Sequence, residues 1–296
     1  MRLFFIRHGE TVHNVAGLYA GVCDSQLTAH GVLQAQRLGA HLAARSASVG
    51  PVVRIFSSDL QRAAITAQAI IDAQTPNRSS GSGAGGGYSY GIPDQERAVR
   101  LVKLPDLRER DFRSAEGKPY GTPRTDAETH QEMAARSDRF VRTHLAPVLC
   151  DRNLLESPTE VSVMVVAHGL ILNFLLRSLL SRFAPAELAQ LEGPGTEYLS
   201  AWGNTGYMEA TVGLAPQDPT VVPTGVDSKF EDAVSTISTT RPKRRIKLNV
   251  LRLNSLDHLD GLKKTRGGIG SAQFDKNQKT LDSFVRPSPK KRKLGE

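Results

Sequence analysis

Apolar residues arrive in this chain as short runs set between stretches of helical spacing. Leu3 to Ile6 is a four-residue apolar run bounded by charged positions, which predicts a buried strand, and the pattern from Gly31 through Leu42 predicts a helix. Val52 to Phe56 repeats the strand signal. Asp59 to Ile71 (DLQRAAITAQAII) is rich in helix formers with its apolar residues on one side. Residues 100–104 read as a weak strand. Val161 to Ala167 is the strongest strand in the chain and runs into an apolar helix from Leu170 to Leu180. Gly206 to Val212 and Ile246 to Leu253 add two more strands. Strand and helix alternate, so the expected architecture is a three-layer α/β/α sandwich with a mostly parallel sheet and an antiparallel edge strand.

The pattern breaks in three places. Residues 76–94 (PNRSSGSGAGGGYSYGIPD) bury too little apolar surface to order themselves and read as a flexible insertion. Residues 213–240, rich in Pro, Thr and Ser, look like a linker between the last two strands. Beyond Leu256 the chain turns polar and basic, giving a folded domain over 1–256 and a disordered tail over 257–296. Charge divides the same way: net −3 over residues 1–240 and net +11 over 241–296. Basic character therefore belongs to the C-terminal part.

There is no run of 18 apolar residues, and the opening MRLFFIRH turns charged too early for a signal-peptide core. Cys23 and Cys150 lack metal-ligand spacing, and a reducing compartment, nuclear or cytoplasmic, is expected.

In an open α/β sheet, ligands collect at the carboxyl ends of the strands. Those ends carry Arg7, His8 and, nearby, Asn14; Ser57, Ser58, Asp59 and Arg62; Leu107, Arg108 and Glu109; and Ala167, His168 and Gly169. Two His, two Arg and a Glu on one side of a sheet suit phosphoryl chemistry. Unprotonated imidazole attacks phosphorus, guanidinium forks hold phosphate oxygens, and a carboxyl group serves the leaving alkoxide and then the water. A protonated second His would donate to the equatorial oxygens. A metal site is the chemical alternative, but fixed positive charge at Arg7 and Arg62 opposes a divalent cation there, so no metal and no cofactor is expected.

Arg7-His8-Gly9-Glu10-Thr11 resembles the signature of the histidine phosphatase superfamily, which includes the cofactor-dependent phosphoglycerate mutases. Leu27-Thr28 with Gly31 and Gln34-Ala35, Ser57-Ser58-Asp59-Leu60 with Arg62-Ala63 and Thr66-Ala67, Leu107-Arg108-Glu109, Glu116-Gly117 and Ala167-His168-Gly169 resemble further blocks in order, covering residues 1 to roughly 210. The resemblance implies His8 as nucleophile, Arg7, Arg62 and His168 as the phosphate pocket, Glu109 as proton donor and Asn14 as an auxiliary pocket residue. Asn14 could equally cap the helix after the first loop. Leu18 stands where relatives carry Arg, and Arg113 where a Gly follows Asp-Phe. Glu109 is followed by Arg-Asp-Phe rather than the His-Tyr-Gly of mutases, which favours a phosphatase over a mutase, with a non-catalytic scaffold as a third reading. His13, His30, His41, His130, His144 and His258 match no block and receive no chemical role. The charges of Arg108, Arg110, Arg113, Lys118 and Arg124 read as solvated.

Two short motifs mark the tail. Gln278, Leu281 and Phe284 have the spacing of the box that binds the sliding clamp of DNA replication, with Val285 where a second aromatic is usual. Lys290, Lys291, Arg292 and Lys293 resemble a basic nuclear-import signal.

Overall fold

The computed structural model describes residues 1–74, 99–183, 201–214, 246–264 and 269–275. Six strands form one sheet in the order β3-β2-β4-β1-β5-β6. They are β1 (Arg2–Arg7), β2 (Val52–Ser58), β3 (Arg100–Leu104), β4 (Ser162–Ala167), β5 (Tyr207–Leu214) and β6 (Ile246–Ser255). The first four are mutually parallel. β5 runs antiparallel to β1, and β6 antiparallel to β5, so an antiparallel pairing of two strands makes this edge where one edge strand is expected.

Alternation along β1 sorts its side chains to two cores. Leu3 and Phe5 pack with Val163 and Val165 of β4 against the helices Gly169–Phe183 and His130–Phe140. Phe4 and Ile6 pack with Met164 and Val166 against the helices Ala29–Ala44 and Gln61–Gln74. Each face of β4 is covered, and all six of its residues are buried, which explains why its apolar run is continuous rather than alternating. β1 and β4 pair in strict register from Arg2 opposite Ser162 to Arg7 opposite Ala167. That register delivers the next residues, His8 and His168, side by side at the carboxyl edge of the sheet.

The boundary expected at 256/257 is corrected. Residues 257–264 and 269–275 pack behind the loop that follows β1. His258 is buried, and its Nε2 lies 2.8 Å from the Thr205 hydroxyl. Lys264 Nζ lies 2.8 and 2.7 Å from the two carboxylate oxygens of Glu10. The Ala29 N–H donates to the Ala272 carbonyl, and the Phe274 N–H to that of Leu27. Polar composition concealed this because the attachment consists of hydrogen bonds and an ion pair, which leave no hydrophobic period to read. The expected linker at 213–240 loses its first two residues to β5. Most of that segment, the insertion 76–94 and residues 276–296 lie outside the described residues.

These contacts predict that the chain ending at 256 is less stable than the chain ending at 275. Losing a buried hydrogen bond and a partly buried ion pair amounts to about 2 kcal/mol, or roughly 4–8 °C in a domain of this size. Thermal melting of both truncations checks this, and equal midpoints would contradict it.

Candidate active site

Positions 7–11 turn sharply from β1 onto the helix Ala29–Ala44, and glycine makes the approach possible. A Cβ on Gly31 would lie 2.0 Å from the Glu10 carbonyl oxygen, and one on Gly9 would lie 2.5 Å from the Gly31 carbonyl oxygen. Around this contact, Gly9 N–H donates to Thr66 Oγ1 at 3.1 Å, Glu10 N–H to Gln34 Oε1 at 2.9 Å, and the Thr28 hydroxyl to Glu10 Oε1 at 2.9 Å. Thr28 also caps the helix by accepting from Gly31 N. Behind the loop, Thr205 N–H and Asn204 Nδ2 both donate to the His8 carbonyl, at 3.1 and 3.2 Å. Thr205 takes a left-handed backbone, with φ 58°.

The protein frame sets the tautomer of each histidine. His8 Nδ1 is 2.7 Å from the Gly9 carbonyl, which can only accept, so Nδ1 carries the proton and Nε2 presents its lone pair. Arg62 Nε can only donate, and it reaches His168 Nδ1 at 3.1 Å; the ring proton of neutral His168 therefore sits on Nε2. The two rings lie 4.9 Å apart between centroids. Burial, reinforced by Arg62 and Arg7, pushes His8 well below the ordinary histidine range. His168 moves the same way through burial, Arg62, His8 and Arg7. Both rings are neutral. His168 therefore does not need to be protonated in order to donate, because Nε2 bears hydrogen in the neutral form as well.

Arg62 is completely buried and also donates to the carbonyls of Cys23 at 2.7 Å and Gly21 at 2.6 Å. Arg7 NH1 donates to the Trp202 carbonyl. Burial lowers both guanidinium groups from their usual range, opposed by the negative charge of Glu109, yet arginine stays charged. Glu109 sits at the start of the helix Gly169–Phe183. Its Oε1 accepts from Arg110 N and Ile171 N, and its Oε2 from Leu170 N at 3.1 Å. Asn14 closes the capping box of the helix Val12–Ala16 with Thr11, and it lines the cavity above His8.

Arg7, His8, Asn14, Arg62 and Glu109 line one cavity of about 510 Å³, with His168 buried beneath it against His8 and Arg62. Two donors at this place, Arg7 Nε and His168 Nε2, are buried with no hydrogen-bond partner among the described residues. Each such orphan costs on the order of 1–3 kcal/mol. An oxyanion above His8 would receive both. All six sequence-derived residues therefore meet at one place.

Sequence reasoning missed the supporting groups. Trp202, Asn204 and Thr205 hold the site through backbone atoms and a side-chain amide, which no residue-type signature reveals. Gly203 to Gly206 (GNTG), just before β5, was the available signal. Glu116 and Thr66 stood inside quoted blocks without a job. Glu116 accepts from Val22 N at 2.7 Å and Cys23 N at 3.1 Å, closing the loop on which Arg62 rests. Arg113, standing where relatives carry Gly, takes φ 46°, the left-handed backbone that favours glycine. Among the arginines read as solvated, Arg108 is held by Asp59 at 2.8 and 2.6 Å, while Arg124 lines the cavity.

Comparison with known proteins places this arrangement. The family model "Histidine phosphatase superfamily (branch 1)" matches residues 3–79. "Probable phosphatase" of Schizosaccharomyces pombe is 25% identical over 288 residues, covering 94% of this chain and 78% of that protein. "Adenosylcobalamin/alpha-ribazole phosphatase" of Salmonella typhi is 30% identical over 177 residues, 57% of this chain and 79% of that one. Proteins named as probable phosphoglycerate mutases also match. The solved structure of "Mycobacterial hydrolase 2" superposes with a TM-score of 0.53 at 21% identity, over 86% of this chain and 90% of that one, a likeness of fold. A signature loop on β1, ordered blocks at the following strand ends and a relative 30% identical over most of its own length agree: the chain belongs to the histidine phosphatase superfamily.

Proposed function

We propose that this protein hydrolyses a phosphomonoester through a phosphohistidine on His8. The observation that carries the reading is the unprotonated Nε2 of His8 in a site with two buried donors, Arg7 Nε and His168 Nε2, that have no hydrogen-bond partner among the described residues. Nε2 attacks phosphorus, the P–N bond forms as the ester P–O bond breaks, and the departing alkoxide takes a proton from Glu109. Water then attacks phosphorus and gives its proton to Glu109. The P–N bond breaks, and orthophosphate leaves. Arg7, Arg62 and His168 hold the equatorial oxygens throughout, and the Gly9 carbonyl steadies the His8 ring through Nδ1–H. Asn14 helps fix the loop, since its Oδ1 accepts from both Thr11 N and Asn204 Nδ2. The same five groups would serve a mutase. Arg110-Asp111-Phe112 after Glu109 in place of His-Tyr-Gly supports the phosphatase.

His8→Ala is expected to abolish turnover of p-nitrophenyl phosphate in the presence of EDTA, and acid-labile phosphate should appear on the wild type alone. Glu109→Gln should slow alkyl phosphates at least tenfold more than p-nitrophenyl phosphate, whose leaving anion needs little protonation. Full activity of His8→Ala, or equal slowing of both substrates by Glu109→Gln, contradicts the scheme.

The neutral histidines also govern acid stability. In the unfolded chain they titrate near 6.5, whereas in the folded protein both are depressed. Their contribution is therefore complete above that value and is lost as pH falls, because the unfolded chain binds protons the folded one does not. The melting temperature should fall between about pH 7.5 and about pH 5, and fall less in His168→Asn. An identical slope in that variant contradicts the assignment.

We further propose that Gln278, Leu281 and Phe284 bind the replication sliding clamp and that Lys290, Lys291, Arg292 and Lys293 direct nuclear import. Spacing and the net positive charge of the C-terminal part support this reading; these residues lie outside the described ones. A peptide of residues 274–294 should bind purified clamp, and a Leu281→Ala/Phe284→Ala peptide should not. Binding that is absent, or unchanged in the control, ends the idea.

A further inference from the structure

The cavity above His8 is larger than a phosphoryl group requires; its volume encloses a whole small molecule. Its outer wall states what kind. Tyr19 packs at a tilt against Phe112, with ring centroids 4.6 Å apart, and edge-on against Tyr120 at 5.1 Å, and the Arg124 guanidinium lies 5.3 Å from the Tyr19 centroid and 5.8 Å from that of Phe112. Phe112 is buried and backs the group. Tyr120 is 55% exposed, so the end of this π-shelf stands open at the cavity wall. Arg108, Arg136 and Arg139 are each held by a carboxylate, whereas the guanidinium of Arg124 lies over aromatic rings.

Part of the polar lining on the same wall is engaged within the protein. Asn173 donates to the Gly169 carbonyl and accepts from Trp202 Nε1. Asn14 Oδ1 accepts twice within the protein, and the Tyr19 hydroxyl accepts from Gly121 N. A sugar alone would leave the aromatic side of this wall uncovered. A flat ring suits the same wall, since it would stack on exposed Tyr120 and on the guanidinium plane, an interaction tolerant of ring identity.

Resting on the phosphatase reading above, we propose that Tyr19, Tyr120 and Arg124 form a subsite for a planar aromatic ring on the alcohol part of the substrate. The enzyme then acts on base-bearing phosphomonoesters of the nucleoside monophosphate class in preference to sugar phosphates. Phosphate at the floor of the cavity and the ring at its wall are recognised by separate groups, so the ring contributes binding without touching the chemistry at phosphorus.

Adenosine 5′-monophosphate and ribose 5-phosphate isolate this contribution, because both lose phosphate from the same primary 5′-oxygen. With the full chain, kcat/KM for the nucleotide should exceed that for ribose 5-phosphate by about tenfold or more, with the difference carried by KM. Tyr120→Ala and Arg124→Ala should each shrink that ratio at least about threefold, and Tyr120→Phe should retain it. A ratio near one or below, or a ratio untouched by both alanine variants, overturns the subsite while leaving the phosphatase intact. Failure to turn over p-nitrophenyl phosphate as well, with no phosphohistidine formed, overturns the phosphatase reading and the subsite with it.

Discussion

A guanidinium that is 1% exposed must find acceptors inside the protein, and the geometry of the site follows from where Arg62 finds them. One fork reaches the carbonyls of Gly21 and Cys23, fastening the loop after the first helix to the floor of the cavity. The Nε–H reaches His168 and decides which of its nitrogens carries hydrogen. Glu116 answers from the opposite side, binding the N–H groups of Val22 and Cys23, so the loop is held by a cation through its carbonyls and by an anion through its amides. The ammonium of lysine, a compact point charge, could not supply the planar set of donors that this arrangement uses.

The same buried charge keeps the nucleophile ready. Burial opposes protonation of His8 most strongly, and Arg62 and Arg7 add to it. A histidine displayed at the surface would be partly protonated near neutrality, whereas this one keeps its lone pair. What the arginines lack, a phosphate supplies. The site is polarised before the substrate arrives, with its dipoles already aimed, and little reorganisation is left for the reaction itself.

Much of this was legible in the sequence because it depends on residue type at the end of a strand. The runs at Leu3–Ile6 and Val161–Ala167 are apolar on both faces and could only be central strands; their carboxyl ends then name His8 and His168 without further information. Glu109 and Arg62 followed from the same logic applied to β3 and β2. What escaped was held by tertiary polar contacts. Glu209 lies within a strand yet is buried, paired with Arg45 at 2.7 Å, a partner some 160 positions away that alternation alone cannot name. His258 looked like a loop residue because its burial depends on His41, Tyr207 and Thr205, three separate elements. Burial, with His41 close by, takes its ring down to about 4, so it stays neutral and braces the turn that holds the His8 carbonyl.

The position of β1 has a consequence for how the active protein comes into being. The first strand of the chain lies in the interior of the sheet, flanked by β4 from residue 162 onward and by β5 from residue 207 onward. A chain emerging from the ribosome would make the signature loop first, yet both neighbours of β1, and Asn204 and Thr205 that hold the His8 carbonyl, come more than 150 residues later. Closing such distant contacts is slow compared with forming helices, because the chain entropy is lost before the pairing compensates for it. Lys264, the partner of Glu10, follows later still. The signature loop is therefore made ahead of the partners it needs and reaches its working geometry only after them, and a ribosome-bound fragment lacking the later strands carries the nucleophile without the frame that makes it one.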